Sequence, residues 1–476
     1  MNTALLLVPV LSALVLLPVR RKVLTRVLLI GNAAFYLLYA LVPVLGRPWP
    51  APFFLLNGYF SLDDIGFYFL LILSLVFAAS ALYSLTYFKE HGLDSRQESI
   101  YGAAMLLFLA AMTGAILSAH LALLWVFVEA TTLTSAVLIY FERKKTSLEA
   151  TWKYIYICSV GIALAFVGII VLSVGSKALG SLFFADLYTY APQINPFWLK
   201  IAFAFILVGF GTKIGIAPMH AWLPDAHSEA PSPVSALLSG TLLNTALLAL
   251  VRIYEIMTRA GLSSFARFLL LLTGFLSILV SAAFMLRLVN YKRMLAYSSI
   301  ENMGIILLGI GAGGGGIFAA LLHSAAHSLS KASLFLTSGN ILHLHHSKEI
   351  KDVRGLLKTD PRTGWVWLIS VLAISGFPPF PAFMSKFLLI KAFFEAGLSG
   401  YVVPLFLLLV IILAGMGGAA FDMAFGQPPV PSGPPVKQAA LRYLPQAALL
   451  LVLLLVGVHL PAKVLDLLQQ AALFLR

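Results

Sequence analysis

Charge and cysteine are what this sequence lacks. Only 11% of its 476 residues are Asp, Glu, Lys or Arg, whereas a soluble domain averages about 25%. With 60% hydrophobic residues and a mean hydropathy of +0.95, the chain is expected to be an integral membrane protein. The single cysteine, Cys158, excludes a disulfide framework, a Cys-ligated zinc and an iron–sulfur cluster, and reads as a small buried apolar side chain. No dinucleotide-binding glycine fingerprint follows a strand, and no phosphate-binding loop is present. The run GAGGGG at 311–316 lacks the Lys-Ser/Thr of such a loop and reads as a flexible turn between membrane helices. A β-barrel is excluded, because barrel strands alternate over about ten residues and these apolar runs are of helix-spanning length. The net charge of +13 could point to nucleic acid, but the basic residues lie in short loops between apolar runs. That is the pattern of membrane topology, so the expected partner is a lipid bilayer and not RNA or DNA.

What is present is a series of fourteen expected spans, giving an all-α polytopic membrane protein. The N-terminus, MNTALLLVPVLSALVLLPVRRK, has the apolar core of a signal peptide, but its charges follow the core and no A-x-A site is evident. An uncleaved first span with its N-terminus outside is expected. Span seven carries Gly209, Gly211, Gly215 and Pro218, and span twelve carries Gly376, Pro378 and Pro379. Proline inside a helix removes a hydrogen bond and clashes with the preceding turn, and broken helices at membrane depth line polar cavities. Two broken spans five apart predict two inverted five-helix repeats, residues 99–257 and 258–426, between N-terminal spans at 1–98 and a last span at 427–476. Lys and Arg are more than twice as frequent in the loops after odd-numbered spans, which include Arg20, Arg143, Arg293, Lys348 and Lys437. The opposite loops and C-terminal tail hold Arg47, Lys200, Arg267 and Arg476, among others. This places the odd loops in the cytoplasm and both termini outside a prokaryotic plasma membrane.

The few ionisable groups inside the spans are the candidate functional residues. A charge inside hydrocarbon costs roughly 2.5–3.5 kcal/mol on insertion scales, so each is kept for a reason. Glu129 lies in LALLWVFVEATTLTSAVLIY, Lys213 beside the break of span seven, and Lys386 after the break of span twelve. His323, His327 and Lys331 recur every four residues and share one helix face. Two imidazoles and an amine in line can hand on a proton; the alternative is hydrogen bonding between helices, and a metal site is disfavoured because no acid sits beside them. A carboxylate that approaches or leaves Lys213 would load or release its proton, with Glu129 the obvious partner. Snorkelling to an interface is the competing account of Lys386. Asp225, His227 and Glu229 lie in WLPDAHSEAPSPVSALLSG, which is either a solvated turn or part of the path. Ser239 and Asn244 could hold water or join helices. Asp63 and Asp64 read as helix-start residues. His343, His345 and His346 read as a polar segment at the membrane edge rather than a metal tract. No catalytic or cofactor-binding residue is expected in this chain.

Four blocks carry a resemblance: GTKIGIAPMHAWLPDAHSEAPSPVSALLSG, NYKRMLAYSSIENMG, HSAAHSLSKASLFLTSGN and SGFPPFPAFMSKFLL. They resemble the antiporter-like subunits of respiratory complex I, of Mrp-type sodium/proton antiporters and of membrane-bound nickel–iron hydrogenases. Within that superfamily PDAHSEAPSPVSALLSG looks most like the F-type membrane subunit of hydrogenase-4. The resemblance implies fourteen helices, broken helices seven and twelve, and a proton path along the membrane midplane. It places Glu129, Lys213, the His323–His327–Lys331 stripe and Lys386 on that path. It aligns Lys292 with the lysine of a D-x-K-R motif, where this chain has Asn290 in place of the aspartate. Many relatives have a histidine where Ser239 stands, which leaves water or Asn244 to link Lys213 to the central stripe. The sequence ends after span fourteen, without the lateral helix of the largest complex I subunit. The nickel–iron centre and iron–sulfur clusters are expected in partner subunits, among other membrane subunits and a peripheral redox arm. The alternatives are a subunit of an Mrp-type antiporter and the membrane subunit of an inorganic-carbon accumulator. Protons are favoured over sodium because the spans show few acids beyond Glu129.

Overall fold

Residues 3–45, 58–177, 179–428 and 440–475 are described by a computed structural model. Arg47, Lys437 and Arg476 of the charge pattern lie outside them. The described residues form helices and, besides three isolated β-bridges between loops, no strands.

The main helices in chain order are α1 (Ala4–Val19), α2 (Lys22–Val44), α3 (Asp64–Glu90), α4 (Ser95–Leu117), α5 (Leu121–Ile139) and α6 (Lys145–Gly175). After a short turn of helix come α7 (Pro196–Ile214), α8 (Trp222–Glu229), α9 (Ser232–Arg259), α10 (Ser263–Met285), α11 (Tyr291–Ala312) and α12 (Gly315–His345). The chain closes with α13 (Pro361–Ser375), α14 (Pro381–Glu395), α15 (Val402–Phe425), α16 (Leu444–Val458) and α17 (Ala462–Leu473).

Several starts are written locally. Asp63 caps α3 by accepting from Gly66 N, and Asp94 with Gln97 forms a capping box on α4. Asn195 and Asp360 cap α7 and α13, each followed by a proline whose missing N–H costs a first turn nothing. The glycine run does form the turn between α11 and α12, with Gly313 and Gly314 at positive φ. There Arg267 donates to the carbonyls of Gly311 (2.9 Å) and Ala312, which α11 leaves unpaired at its end.

Among the described residues ten helices are long and apolar enough to cross a membrane, or eleven if the bent pair α16–α17 counts as one span, so this is a multi-pass membrane protein. The three further expected spans fall short of that measure for physical reasons. Helix α1 has 16 residues. Helix α12 has 31, but its stripe of histidine, serine and lysine dilutes its apolarity. Span twelve is divided into α13 and α14, of 15 residues each. Burial sorts the helices into an inner and an outer set. Helices α9 and α11 are buried along the whole apolar window, whereas α15 is buried over only 22% of it and presents Phe406, Leu407 and Val410 outward. Helix α12 runs through the centre, against α3, α9, α11, α13, α14 and α16.

The two expected breaks are built alike. At the first, Gly215 has φ +76°, Ile216 N bonds back to Gly211 O (3.1 Å), and Met219 N to Ile216 O (2.9 Å). At the second, Gly376 has φ +92°, Phe377 N bonds back to Leu372 O (3.1 Å), and Phe380 N to Phe377 O (3.1 Å). In both, a left-handed glycine ends the helix and the peptide before the third residue on is cis, Ala217–Pro218 and Pro378–Pro379. The backbone groups freed at the first break find partners. Ala217 N donates to Ser277 Oγ of α10 (2.9 Å), and the Trp222 indole of α8 donates to Thr212 O (2.8 Å).

Close helix approach holds the first break in place. A Cβ on Gly209 of α7 would lie 2.5 Å from the backbone nitrogen of Ala165 on α6. Gly209→Leu is therefore expected to force α6 and α7 apart and cost about 1–3 kcal/mol. A lower thermal unfolding midpoint in detergent would show it; an unchanged midpoint would mean the interface is not close-packed.

Candidate functional site

The candidate residues of the interior form two clusters, with the α12 stripe beside the second. In the first, Lys213 sits in the last turn of α7, fully buried. Its Nζ donates to Thr132 Oγ1 and to the Tyr154 hydroxyl, each at 2.8 Å. Thr132 in turn donates to Glu129 Oε2 (3.0 Å), and Ser159 donates to Glu129 Oε1 (2.9 Å). Glu129 and Lys213 are thus brought together through one threonine hydroxyl rather than in direct contact. Cys158 is buried beside them, as expected of a structural cysteine.

The second cluster contains a residue that sequence reasoning missed. Lys386 on α14 donates to Ser375 O, the last residue of α13 (3.0 Å), and its Nζ lies 3.7 Å from Glu301 Oε1 on α11. Both side chains are mostly buried, at 15% and 6% exposure, so Lys386 points into the protein and does not snorkel. Glu301 lies in the apolar run SSIENMGIILLG, where the rule that singled out Glu129 applies equally. Glu301 is thus one of the few acids that the spans hold beyond Glu129. Glu301 stands in the second cluster roughly where Glu129 stands in the first, as the carboxylate facing a lysine at a helix break.

Helix α12 carries the stripe, which meets the second cluster and α9. His323, His327 and Lys331 are all buried on the face that the spacing predicted. His323 Nδ1 lies 2.8 Å from Ser385 Oγ, one residue before Lys386, and its Nε2 lies 2.9 Å from Asn302 Oδ1, one residue after Glu301. His327 Nε2 meets Ser239 O at 3.3 Å. That contact falls in α9 where it widens into a π-helical turn over Leu238–Leu242, the kind of local irregularity that often marks functional sites. Lys331 Nζ donates to Leu295 O (2.7 Å), with Glu301 and Lys386 within electrostatic reach.

The supporting residues divide. Ser239 also hydrogen-bonds Ser299 (2.8 Å), and Asn244 donates to Ser328 on α12 (2.6 Å), so both join α9 to the central stripe. Lys292 is buried and donates to Ala230 O (2.8 Å). Asn290, where the aspartate was expected, caps α11 by accepting from the amides of Lys292 (2.9 Å) and Arg293 (3.1 Å). Asp225 is a correction: it pairs with Lys153 (3.1 Å) and Arg293 at the protein surface and takes no part in either cluster. His227, two residues on, is fully buried. The WLPDAHSEAPSPV segment is α8 and the start of α9, not a solvated turn. Asp63 caps α3 and makes a bidentate pair with buried Arg252 (2.8 and 2.9 Å), as a helix-start residue can. Among the described residues no group of three His, Cys, Asp or Glu could hold a metal ion.

Comparison with known proteins follows the same lines. A sequence family described as NADH:quinone oxidoreductase/Mrp antiporter, transmembrane, matches residues 118–413. A hydrogenase-4 component F homolog from Methylacidiphilum infernorum is 33% identical over 435 residues, covering 88% of this chain and 89% of that one. Hydrogenase-4 component B of Escherichia coli is 29% identical over 407 residues, 82% of this chain and 59% of that one. Among solved structures, a chain of the Mrp complex from Dietzia sp. superposes with a TM-score of 0.88 over 99% of this chain and 96% of its own, at 22% identity, a likeness of fold.

The bridge between Glu129 and Lys213 can be tested directly. Thr132→Val removes one of the two acceptors of a buried ammonium and is expected to destabilise by about 1–3 kcal/mol. Thr132→Ser is expected to restore the midpoint. Equal stability of the valine and serine variants in thermal denaturation would show that the hydroxyl does not carry the link.

Proposed function

Because the chain belongs to the NADH:quinone oxidoreductase/Mrp antiporter family of transmembrane subunits, we propose that it translocates protons in an energy-converting oxidoreductase complex, linked to a hydrogenase. The observation that carries this is the paired arrangement: a carboxylate near a lysine at each of two like-built helix breaks, with a buried histidine–lysine stripe against the second. The resemblance to hydrogenase-4 components supports the hydrogenase link.

In this reading the molecule has fourteen spans, with inverted repeats at 99–257 and 258–426, in a prokaryotic plasma membrane with both termini outside. The matching breaks support the repeat. Redox centres, including a nickel–iron site and iron–sulfur clusters, belong to partner subunits, among them other membrane subunits and a peripheral arm. This chain supplies the proton path.

The chemistry is proton transfer alone. A carboxylate close to a desolvated lysine favours the ammonium, and its withdrawal favours release. Movement of Glu129 away from Lys213 lets that amine give up its proton toward the α12 stripe. His327 and His323 pass it by accepting at one ring nitrogen and donating at the other, and Lys331 by taking up and releasing a proton at its single amine. Lys386 receives it, held by Glu301 until that pair opens in turn. A proton arriving at Lys386 strengthens its pair with Glu301 and its departure weakens it, so the charge state of one cluster is felt at the other.

The test is the purified complex in proteoliposomes, with proton uptake and redox turnover followed together. Lys213→Met is expected to lower uptake by about a hundredfold or more, the scale at which a positioned proton-transfer group acts. Glu301→Gln is expected to slow uptake as well, with assembly unchanged. Normal uptake and turnover in the assembled Lys213→Met complex would defeat this function.

A further inference from the structure

One region of the molecule offers the path described so far a connection to water. A cavity of about 900 Å³ opens among the loops after α3, α5, α10 and α12, the face carrying most of the basic residues. Its walls are charged. Glu229 is paired there with Lys348 at 2.8 Å and accepts from Thr146 (2.7 Å). On the other side Glu142 is paired with Lys144 (2.6 Å), which overcomes the upward push of burial and holds that carboxyl below its ordinary range. A cavity of this size with polar walls takes up water.

Lys292 lies at the inner wall of the cavity, only 1% exposed, with its amine on Ala230 O. Behind the wall, next to lining residue Ser228, His227 is fully buried. Neither of its ring nitrogens has a hydrogen-bond partner among the described residues. Its ring stacks on Phe335 of α12, with centroids 4.5 Å apart. Lys292, Lys331 and His327 all lie within electrostatic reach of it. A buried imidazole with both nitrogens unpaired is costly. Its place between a basic residue on the cavity wall and the basic residues of the stripe accounts for its presence.

We propose that this cavity is the aqueous access from the loop-rich face to the α12 stripe, with Lys292 and His227 carrying the proton between its water and Lys331. A hydronium ion of the cavity water gives a proton to the neutral amine or imidazole, an N–H bond forming as its O–H bond breaks and a water molecule being left, and each group returns to its starting form on passing the proton inward. No oxidant or reductant takes part. The proposal rests on the proton-translocating reading above, and deepens it by placing the uptake side.

Two measurements on the assembled complex test it. In the first, Ser232→Cys, on the cavity wall, is exposed to a membrane-impermeant charged thiol reagent in vesicles of each orientation, and modification of this chain is read by mass. Native Cys158 is buried and serves as the background. Modification from the loop-rich face alone, with a fall in proton uptake, is expected. Absence of modification from either face, or full modification without loss of uptake, overturns the proposal. In the second, His227→Phe keeps the stacking and removes the proton carrier; uptake is expected to fall about tenfold or more. The thiol result decides the matter if that variant does not assemble. Loss of uptake in Lys213→Met with normal uptake in His227→Phe would sink the access route and spare the function. Normal uptake in both would sink the function itself.

Discussion

A buried ammonium must be surrounded by oxygen, and that requirement organises this molecule. Lys213, Lys331 and Lys292 have no exposed surface to speak of, and each amine is met by hydroxyl or carbonyl oxygens from a neighbouring helix. In hydrocarbon such a group without partners would be driven out or would lose its charge. The irregular parts of the fold follow from this need. Helices end early at Gly215 and Gly376, α9 widens at Leu238–Leu242, and in each place a carbonyl or a lysine is brought to the interior that a straight helix would not supply.

The price of those irregularities is unpaired backbone, and the neighbouring helices remove it. Ser277 of α10 and Trp222 of α8 close the first break. Close contact at Gly209 keeps α7 against α6, so that Thr132 and Tyr154 stay within hydrogen-bonding distance of Lys213. The outer helices have no such demands. Their exposed Leu, Val and Phe need only lipid or a membrane partner, and α15 shows how little of such a helix is buried.

Much of the site is legible in the primary structure because charge is so scarce there. With so few charged residues, Lys213, Glu129 and Lys386 stand out against their apolar runs, and the four-residue spacing of His323, His327 and Lys331 assigns them to one face before any contact is known. The helix breaks are equally readable, since glycine and proline act through the local backbone. Asp225 and Glu301 were not separable in that way. Glu301 is a lone acid in its run, and Asp225 shares its segment with His227 and Glu229. One turns outward to Lys153 and Arg293, and the other turns inward to Lys386. Local sequence holds no signal for which way a helix face will turn when its neighbours are distant in the chain.

The sequence by itself determined the membrane environment, the helical class, the position of both breaks, the face of the α12 stripe and the family. These depend on composition, periodicity and backbone chemistry, which act over a few residues. Only the tertiary structure decided the pairings: Thr132 as the bridge from Glu129 to Lys213, Glu301 as the counter-charge of Lys386, the carbonyl of Ser239 against His327, and the burial of His227 behind a polar cavity. Each joins residues on helices far apart in the chain, and their geometry is set by how those helices pack, which no local pattern encodes.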